Sequence, residues 1–353
     1  MILRRPHRRI NVSTSLVDPV LASVGVNATP TAATPTLALD EIEQHRRELT
    51  GYCYRMLGSG FEAEDAVQET MVRAWKAADG FEARSSVRSW LYRIATNVCL
   101  DMLRGRERRA RPMELRPSSP PDAVHLGAML PEHAWVSPIA DNRVLPDAAD
   151  PADIADYRES IRLAFVTALQ HLPARQRAVL ILCKVLRWQA SEVAELLDTT
   201  VPAVNSALQR ARATLASLPT DDAHPPTIST DQQELLARYV DAFERYDVTR
   251  LVTLLHDDAV QSMPPYAMWI QGADTIGAWL LGPGIECLGS RLLPTAANGC
   301  AAFGQYRRDG KGGHYAWALQ IIEVSGDRIS GFHAFLDTGT LFPLFGLPLE
   351  LPA

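Results

Sequence analysis

The sequence predicts a multidomain chain, two all-α units followed by an α+β cone, on three observations. Residues 63–78 and 90–102 repeat apolar side chains at helical spacing, through Val67, Met71, Ala74 and Ala78, then Trp90, Leu91, Ile94 and Val98. Residues 190–215 read as a short helix, a turn at Asp198-Thr199-Thr200 and a second helix. From Asp231 the pattern changes to helices, then apolar and partly alternating segments at 299–308, 314–324 and 328–337, parted by turns bearing Gly or Asp. Antiparallel strands have that pattern. The boundaries expected are a disordered extension over 1–37, a helical unit over 38–111, a linker over 112–150, a second helical unit over 151–218, a linker over 219–230 and the cone over 231–353.

Composition narrows the function. The 353 residues are long enough for two or three domains. No apolar run reaches the ~18 residues that span a bilayer, so no membrane partner is expected. Five cysteines (53, 99, 183, 287, 300) form no CxxC pair, which argues for buried thiols in a reducing cytoplasm and against zinc or disulfides. The net charge of −6 lies wholly in residues 231–353, with 14 acids against 8 bases; residues 1–230 balance at 27 of each. An acidic back third is a poor DNA binder.

The elements follow in order. Residues 1–37 pair an Arg-rich start with a Thr/Ala/Pro/Val stretch and sustain no period, as a disordered extension or an over-early start codon would. Leu39, Ile42, Leu49, Tyr52, Met56 and Leu57 keep helical spacing until Gly58 and Gly60 stop it. On the next helix Asp65, Gln68 and Glu69 share a short acidic and amide-bearing face, suited to a protein surface. Residues 84–116 then hold nine arginines against Asp101, Glu107 and Glu114. Arginines hold phosphates, aromatics stack on bases and an amide such as Asn97 pairs with a base edge, so this stretch fits a single-strand reader. Seven prolines make 112–150 a linker, although Leu126, Leu130, Trp135 and Ile139 are too apolar for a passive spacer. In the helix-turn-helix, Val201, Val204, Leu208, Ala211 and Leu215 face inward. Pro202, Asn205, Ser206, Gln209, Arg210 and Arg212 face outward, an acid-free set matched to a major groove.

Two long words, EDAVQETMVRAW and SWLYRIATNVCLDMLR, closely resemble region 2 of the extracytoplasmic-function sigma factors of bacterial RNA polymerase. A third, LPARQRAVLIL followed by SEVAELLDTTVPAVNSALQRARATL, resembles sigma region 4. The resemblance implies core RNA polymerase, through its beta and beta-prime subunits, and promoter DNA as partners. It implies that Asp65, Gln68 and Glu69 bind the clamp, that Arg93, Asn97, Arg104 and Arg106 capture the melted −10 element, and that the outward set of 202–212 reads the −35 element. Asn205 stands where the family more often has a basic residue, so the −35 sequence itself is not implied. YVDAFERYDVTRLVTLLHDDAVQSMPP and WIQGADTIGAWL resemble the SnoaL-like branch of the NTF2-like superfamily, found appended to some sigma factors.

An NTF2-like cone encloses a pocket, and Tyr266, Trp269, Trp279, Trp317, His333 and Phe335 are its candidate lining, for a small ligand or as plain core. Catalysis there needs a positioned acid or base. His256-Asp257-Asp258 reads as a solvated turn and His333, between aromatics, as a satisfied core histidine. The expectation is a non-enzymatic initiation subunit with no catalytic residue, cofactor or metal. A ligand-responsive helix-turn-helix regulator and a DNA-regulated SnoaL-like enzyme are the alternatives. A regulator of that kind has no need of the Asp65, Gln68 and Glu69 face.

Overall fold

Two glycines and a serine build the first corner. The computed structural model describes residues 39–81, 85–122, 129–146, 150–218 and 230–352; the expected extension, Leu126 and nearly all of the second linker lie outside them. Helix α1 (Leu39–Glu43) leads into α2 (Arg46–Leu57). α2 ends at Gly58, whose φ of 71° is left-handed and costs a glycine nothing sterically. The Ser59 hydroxyl accepts from the Glu62 amide and so caps α3 (Gly60–Ala77). Ser86 caps α4 (Val87–Met102) in the same way. Leu49, Tyr52, Val67, Leu91 and Tyr92 are buried where the three helices meet.

Among its described residues the Pro-rich stretch contains a short helix α5 (Pro112–Leu115) and two 3-10 turns. It is core nonetheless. Trp135, Val136, Ile139, Ala140 and Val144 are buried, and the Ser137 amide donates to the Gly58 carbonyl at 3.0 Å. A Cβ at Gly60 would lie 2.6 Å from the Pro138 carbonyl oxygen, so only glycine admits this close approach.

The second helical unit comprises α6 (Pro151–Glu159), α7 (Leu163–Gln170), α8 (Ala174–Leu180), a π-helical turn (Ile181–Val185), α9 (Ala190–Leu196) and α10 (Val201–Ala216). Thr200 caps α10. Val193, Ala194, Val204 and Ala211 are buried. Val201, expected to face inward, is 39% exposed. It is the first residue of α10, and the buried stripe begins one turn later at Val204.

The α+β unit runs α11 (Thr230–Arg245), α12 (Val248–Leu254), β1 (Leu255–Ser262), β2 (Trp269–Gln271), α13 (Ala273–Leu281), β3 (Arg291–Ala297), β4 (Cys300–Arg308), β5 (His314–Ser325), β6 (Arg328–Phe335), α14 (Thr338–Leu344) and β7 (Glu350–Leu351). The sheet order is β2-β1-β6-β5-β4-β3, with β7 beside the start of β5. β1 and β6 are parallel and the other pairs antiparallel. The sheet carries α11, α12 and α13 on one face and α14 on the other, the helices-then-sheet cone expected over 231–353.

Side chains alternate across the pleat of β4. Phe303 faces inward with Ala318, Ile322 and Phe332 against α11 and α12. Cys300, Ala302 and Tyr306 face the other way, with Leu319, Ile321 and Phe342. That outer face is continuous with the core of both helical units and the first linker. At about 25 cal/mol per Å² of apolar area, a sheet face shared in this way is a major part of the chain's stability.

Candidate nucleic-acid interface

On α3, Asp65, Gln68 and Glu69 are all exposed, and Glu69 pairs with Arg73 at 2.7 Å. Trp75 is 61% exposed and stands seven residues after Gln68, two turns along the same stripe. An exposed tryptophan beside charged residues is the composition of an interface anchor. The sequence reading missed it, and its spacing from Gln68 was the available signal.

On α4, Arg93 and Asn97 are exposed one turn apart. Arg93 Nη2 donates to the Glu195 carbonyl oxygen at 3.2 Å and lies 3.9 Å from the Glu195 carboxylate, so α4 abuts α9. The Tyr92 and Trp188 rings meet beside it at 5.0 Å, with the Arg88 guanidinium 5.3 Å from each. Arg104 pairs with Asp101 at 3.1 Å while its side chain stays 80% exposed. Arg106 and Arg109 both pair with Glu62.

All six outward candidates of α10, Pro202, Asn205, Ser206, Gln209, Arg210 and Arg212, are exposed. Arg210 donates to the Ser206 hydroxyl at 2.6 Å, a contact within the face itself.

Reciprocal arginines join the helical units. Arg55 of α2 is buried and donates to the Ser160 hydroxyl at 2.6 Å and carbonyl at 3.2 Å. Arg177 of α8 is buried and donates to the Met56 carbonyl and to Gln170 Oε1. Burial lowers both guanidinium pKa values to about 10. Each cation stays charged at neutral pH, and removing its acceptors leaves a buried group unsatisfied.

The β3–β4 turn enters this junction. Asn298 and Gly299 both have positive φ, 55° and 71°, as a two-residue hairpin of type I′ requires. Asn298 Nδ2 donates to Tyr54 Oη of α2 at 2.5 Å and to the Ile161 carbonyl at 2.6 Å. Its Oδ1 accepts from the Ile139 amide at 3.1 Å. The Gly299 amide donates to Asp141 Oδ1 at 2.8 Å. One turn thus holds the first helical unit, the linker and the second helical unit together. Burial pushes the Asp141 carboxyl up to about 6, against the opposing pull of the Gly299 amide, Arg158 and Arg162.

Inside the cone, Tyr239, Phe243, Phe303 and Phe332 pack at 5.7–6.3 Å between centroids. A buried polar chain runs from Tyr239 Oη to Gln320, Gln305 and Ser290. His333 is held by Ser262 at 2.8 Å and lies 3.3 Å from Glu323, a buried and partnered histidine. A cavity of 130 Å³ lies outside the cone, against α3 and the linker, lined by Phe61, Leu130, Trp135, Pro265, Phe335 and Leu341 among others. Of the six pocket candidates, Phe335 lines it. Trp279 is buried with the α12–α13 core, Trp317 stacks on Arg307 at 3.4 Å, Trp269 donates to the Arg116 carbonyl at 2.7 Å, and Tyr266 bridges to Met129. Among the described residues no group of His, Cys, Asp and Glu is arranged to hold a metal.

Sigma-70 region 2 matches residues 42–109 and sigma-70 region 4 matches residues 162–215. Over 315 residues the chain is 48% identical to the ECF RNA polymerase sigma factor SigG of Mycobacterium tuberculosis, covering 88% of this chain and 83% of SigG. The chain belongs to the extracytoplasmic-function sigma factor family. SigJ of the same species is 28% identical over 70% of this chain and 73% of SigJ. The crystal structure of SigJ covers 88% of this chain and 100% of its own, with a TM-score of 0.55 at 25% identity. The similarity to SigG runs through the helical units and into the cone, which disfavours both alternatives. This sigma factor is not an enzyme.

Proposed function

We propose that this sigma factor directs core RNA polymerase to promoters in the cytoplasm, and that its cone holds regions 2 and 4 closed upon each other until it is released. Region 2 binds the polymerase clamp through Asp65, Gln68 and Glu69, with Trp75 as an apolar anchor. The α10 face docks on −35 duplex. Arg93, Asn97, Arg104 and Arg106 then hold the separated −10 strand. Capture offsets an unpairing cost of about 1.4 kcal/mol per base-pair step. The similarity to SigG and SigJ, both RNA polymerase sigma factors, supports the polymerase as partner. No helix among the described residues is long and apolar enough to cross a membrane.

The observation that carries the closed reading is the Asn298 side chain, bonded at once to Tyr54, Ile139 and Ile161. Each such bond contributes on the order of 1 kcal/mol, so the turn contributes enough to set the equilibrium and little enough to be reversed. Release frees Arg93 from Glu195. A small apolar ligand in the 130 Å³ cavity would act at the same seam, since Phe61 belongs to region 2 and Phe335 to the cone.

The test is run-off transcription with core polymerase, comparing the full-length protein with Asn298→Ala. The variant is expected to give several-fold more transcript and a larger radius of gyration in solution scattering. Unchanged transcript and radius would exclude the closed role while leaving the sigma activity intact.

A further inference from the structure

A cavity of 220 Å³ opens between the tail of α4 and helix α8, and its wall is basic. Arg106, Arg108, Arg109 and Arg177 line it, against the carboxylates Glu62 and Glu107. The pairing is uneven. Glu62 serves both Arg106 and Arg109. Arg108 turns to Glu114 at 3.0 Å and to His171 at 2.8 Å. Arg177 has no carboxylate partner among the described residues: it donates to the carbonyls of Met56, Gln170 and Leu172 and to the Gln170 amide oxygen. Its Nε finds no acceptor, although the residue is only 5% exposed.

A buried cation without a counter-charge is costly, and an anion delivered to it recovers that cost. Guanidinium forks fit the paired oxygens of phosphate better than a single halide or a lone carboxylate oxygen. We propose that this cavity binds a small phosphate-bearing anion, held by Arg106, Arg108, Arg109 and Arg177 between regions 2 and 4. Pockets for drug-sized ligands span about 300–1,000 Å³, so this one admits a phosphoryl or diphosphoryl group and leaves any attached nucleoside outside. The site takes three cations from the end of region 2 and one from region 4. A bound anion therefore ties the two regions together and occupies Arg106, a −10 candidate. The binding stands independently of the closed reading above, because it is measured without transcription.

The probe is inorganic pyrophosphate, titrated calorimetrically into the full-length protein at fixed ionic strength. Saturable binding with one site is expected. Arg108→Gln, a surface change that leaves Arg177 in place, should weaken it about tenfold. Glu62→Gln removes the carboxylate that Arg106 and Arg109 share, and should tighten it. Misfolding does not produce tighter binding, so this variant separates recognition from stability. Absence of saturable binding at millimolar pyrophosphate overturns the proposal, as does wild-type affinity in both variants. A single-stranded oligonucleotide forms the second arm. If it binds more tightly than pyrophosphate and loses that binding in Arg108→Gln, the cavity serves backbone phosphate and the free-anion site is refuted.

Discussion

The two helices proposed to read DNA, α10 and α4, differ in what already holds them. The outward face of α10 is exposed along its whole length, and among the described residues Arg210 bonds within it, to Ser206. On α4 and its tail Arg93 is engaged by Glu195, Arg104 by Asp101 and Arg106 by Glu62, while Asn97 stands exposed. On the roles proposed above, the α10 face is free to dock as folded, whereas the α4 arginines would first exchange intramolecular partners for phosphates and bases.

The largest expected effect touches neither reader. Asp65→Arg combined with Gln68→Ala should abolish co-elution with core polymerase while circular dichroism stays unchanged, because both residues are exposed on α3. Undiminished co-elution would remove that face from the polymerase contact. Arg210→Ala should come next, costing about 1–3 kcal/mol with relaxed preference at one base pair if the face reads edges. A uniform loss on all sequences with a shallower salt slope would make Arg210 a phosphate contact and the α10 face a positioning surface. Asn97→Ala should leave −35 duplex affinity unchanged but slow open-complex formation. Permanganate footprints that develop at the wild-type rate would take Asn97 out of the strand reader.

The smallest expected effect concerns Asp141, which accepts from Gly299 where the β3–β4 turn meets the helical units. The Asp141 carboxyl has its pKa raised to about 6 in the fold, above the usual carboxylate value. A raised acid favours the folded state while protonated, so this contribution is full below about pH 4 and lost as pH rises through 6. Asp141→Asn mimics the protonated form. It should raise the melting temperature by a few degrees at pH 7.5 and by about half as much at pH 5. An equal rise at both values would show that the carboxyl does not titrate in the seam.

Local signals made much of this legible. The Gly58 stop, the Ser59 start and the α9–α10 turn are written in residue types whose backbone preferences act within a few positions. Strand β3 escaped notice because Pro294 breaks the strand pattern. β3 lies at the sheet edge, where a missing amide costs little, and that place is visible only once the sheet exists. The apolar residues Leu341 and Phe342 lie in α14, with Phe342 buried against Tyr306, a partner that no local pattern names.

The sequence by itself determined the helical units, the outward faces of α3 and α10, the arginine excess after α4 and the helices-then-sheet order of the cone. These follow from periodicity and composition, which need only neighbours in the chain. Only the tertiary structure decided that Asn298 would join Tyr54 and Ile161, residues 244 and 137 positions away, and that Glu195 would hold Arg93 across 102. It also turned the Pro-rich linker into core and gave the sheet two buried faces. An apolar residue records that it must be covered, but not by what: the hydrophobic effect has no direction, and the partner is chosen only when all the apolar faces are packed at once.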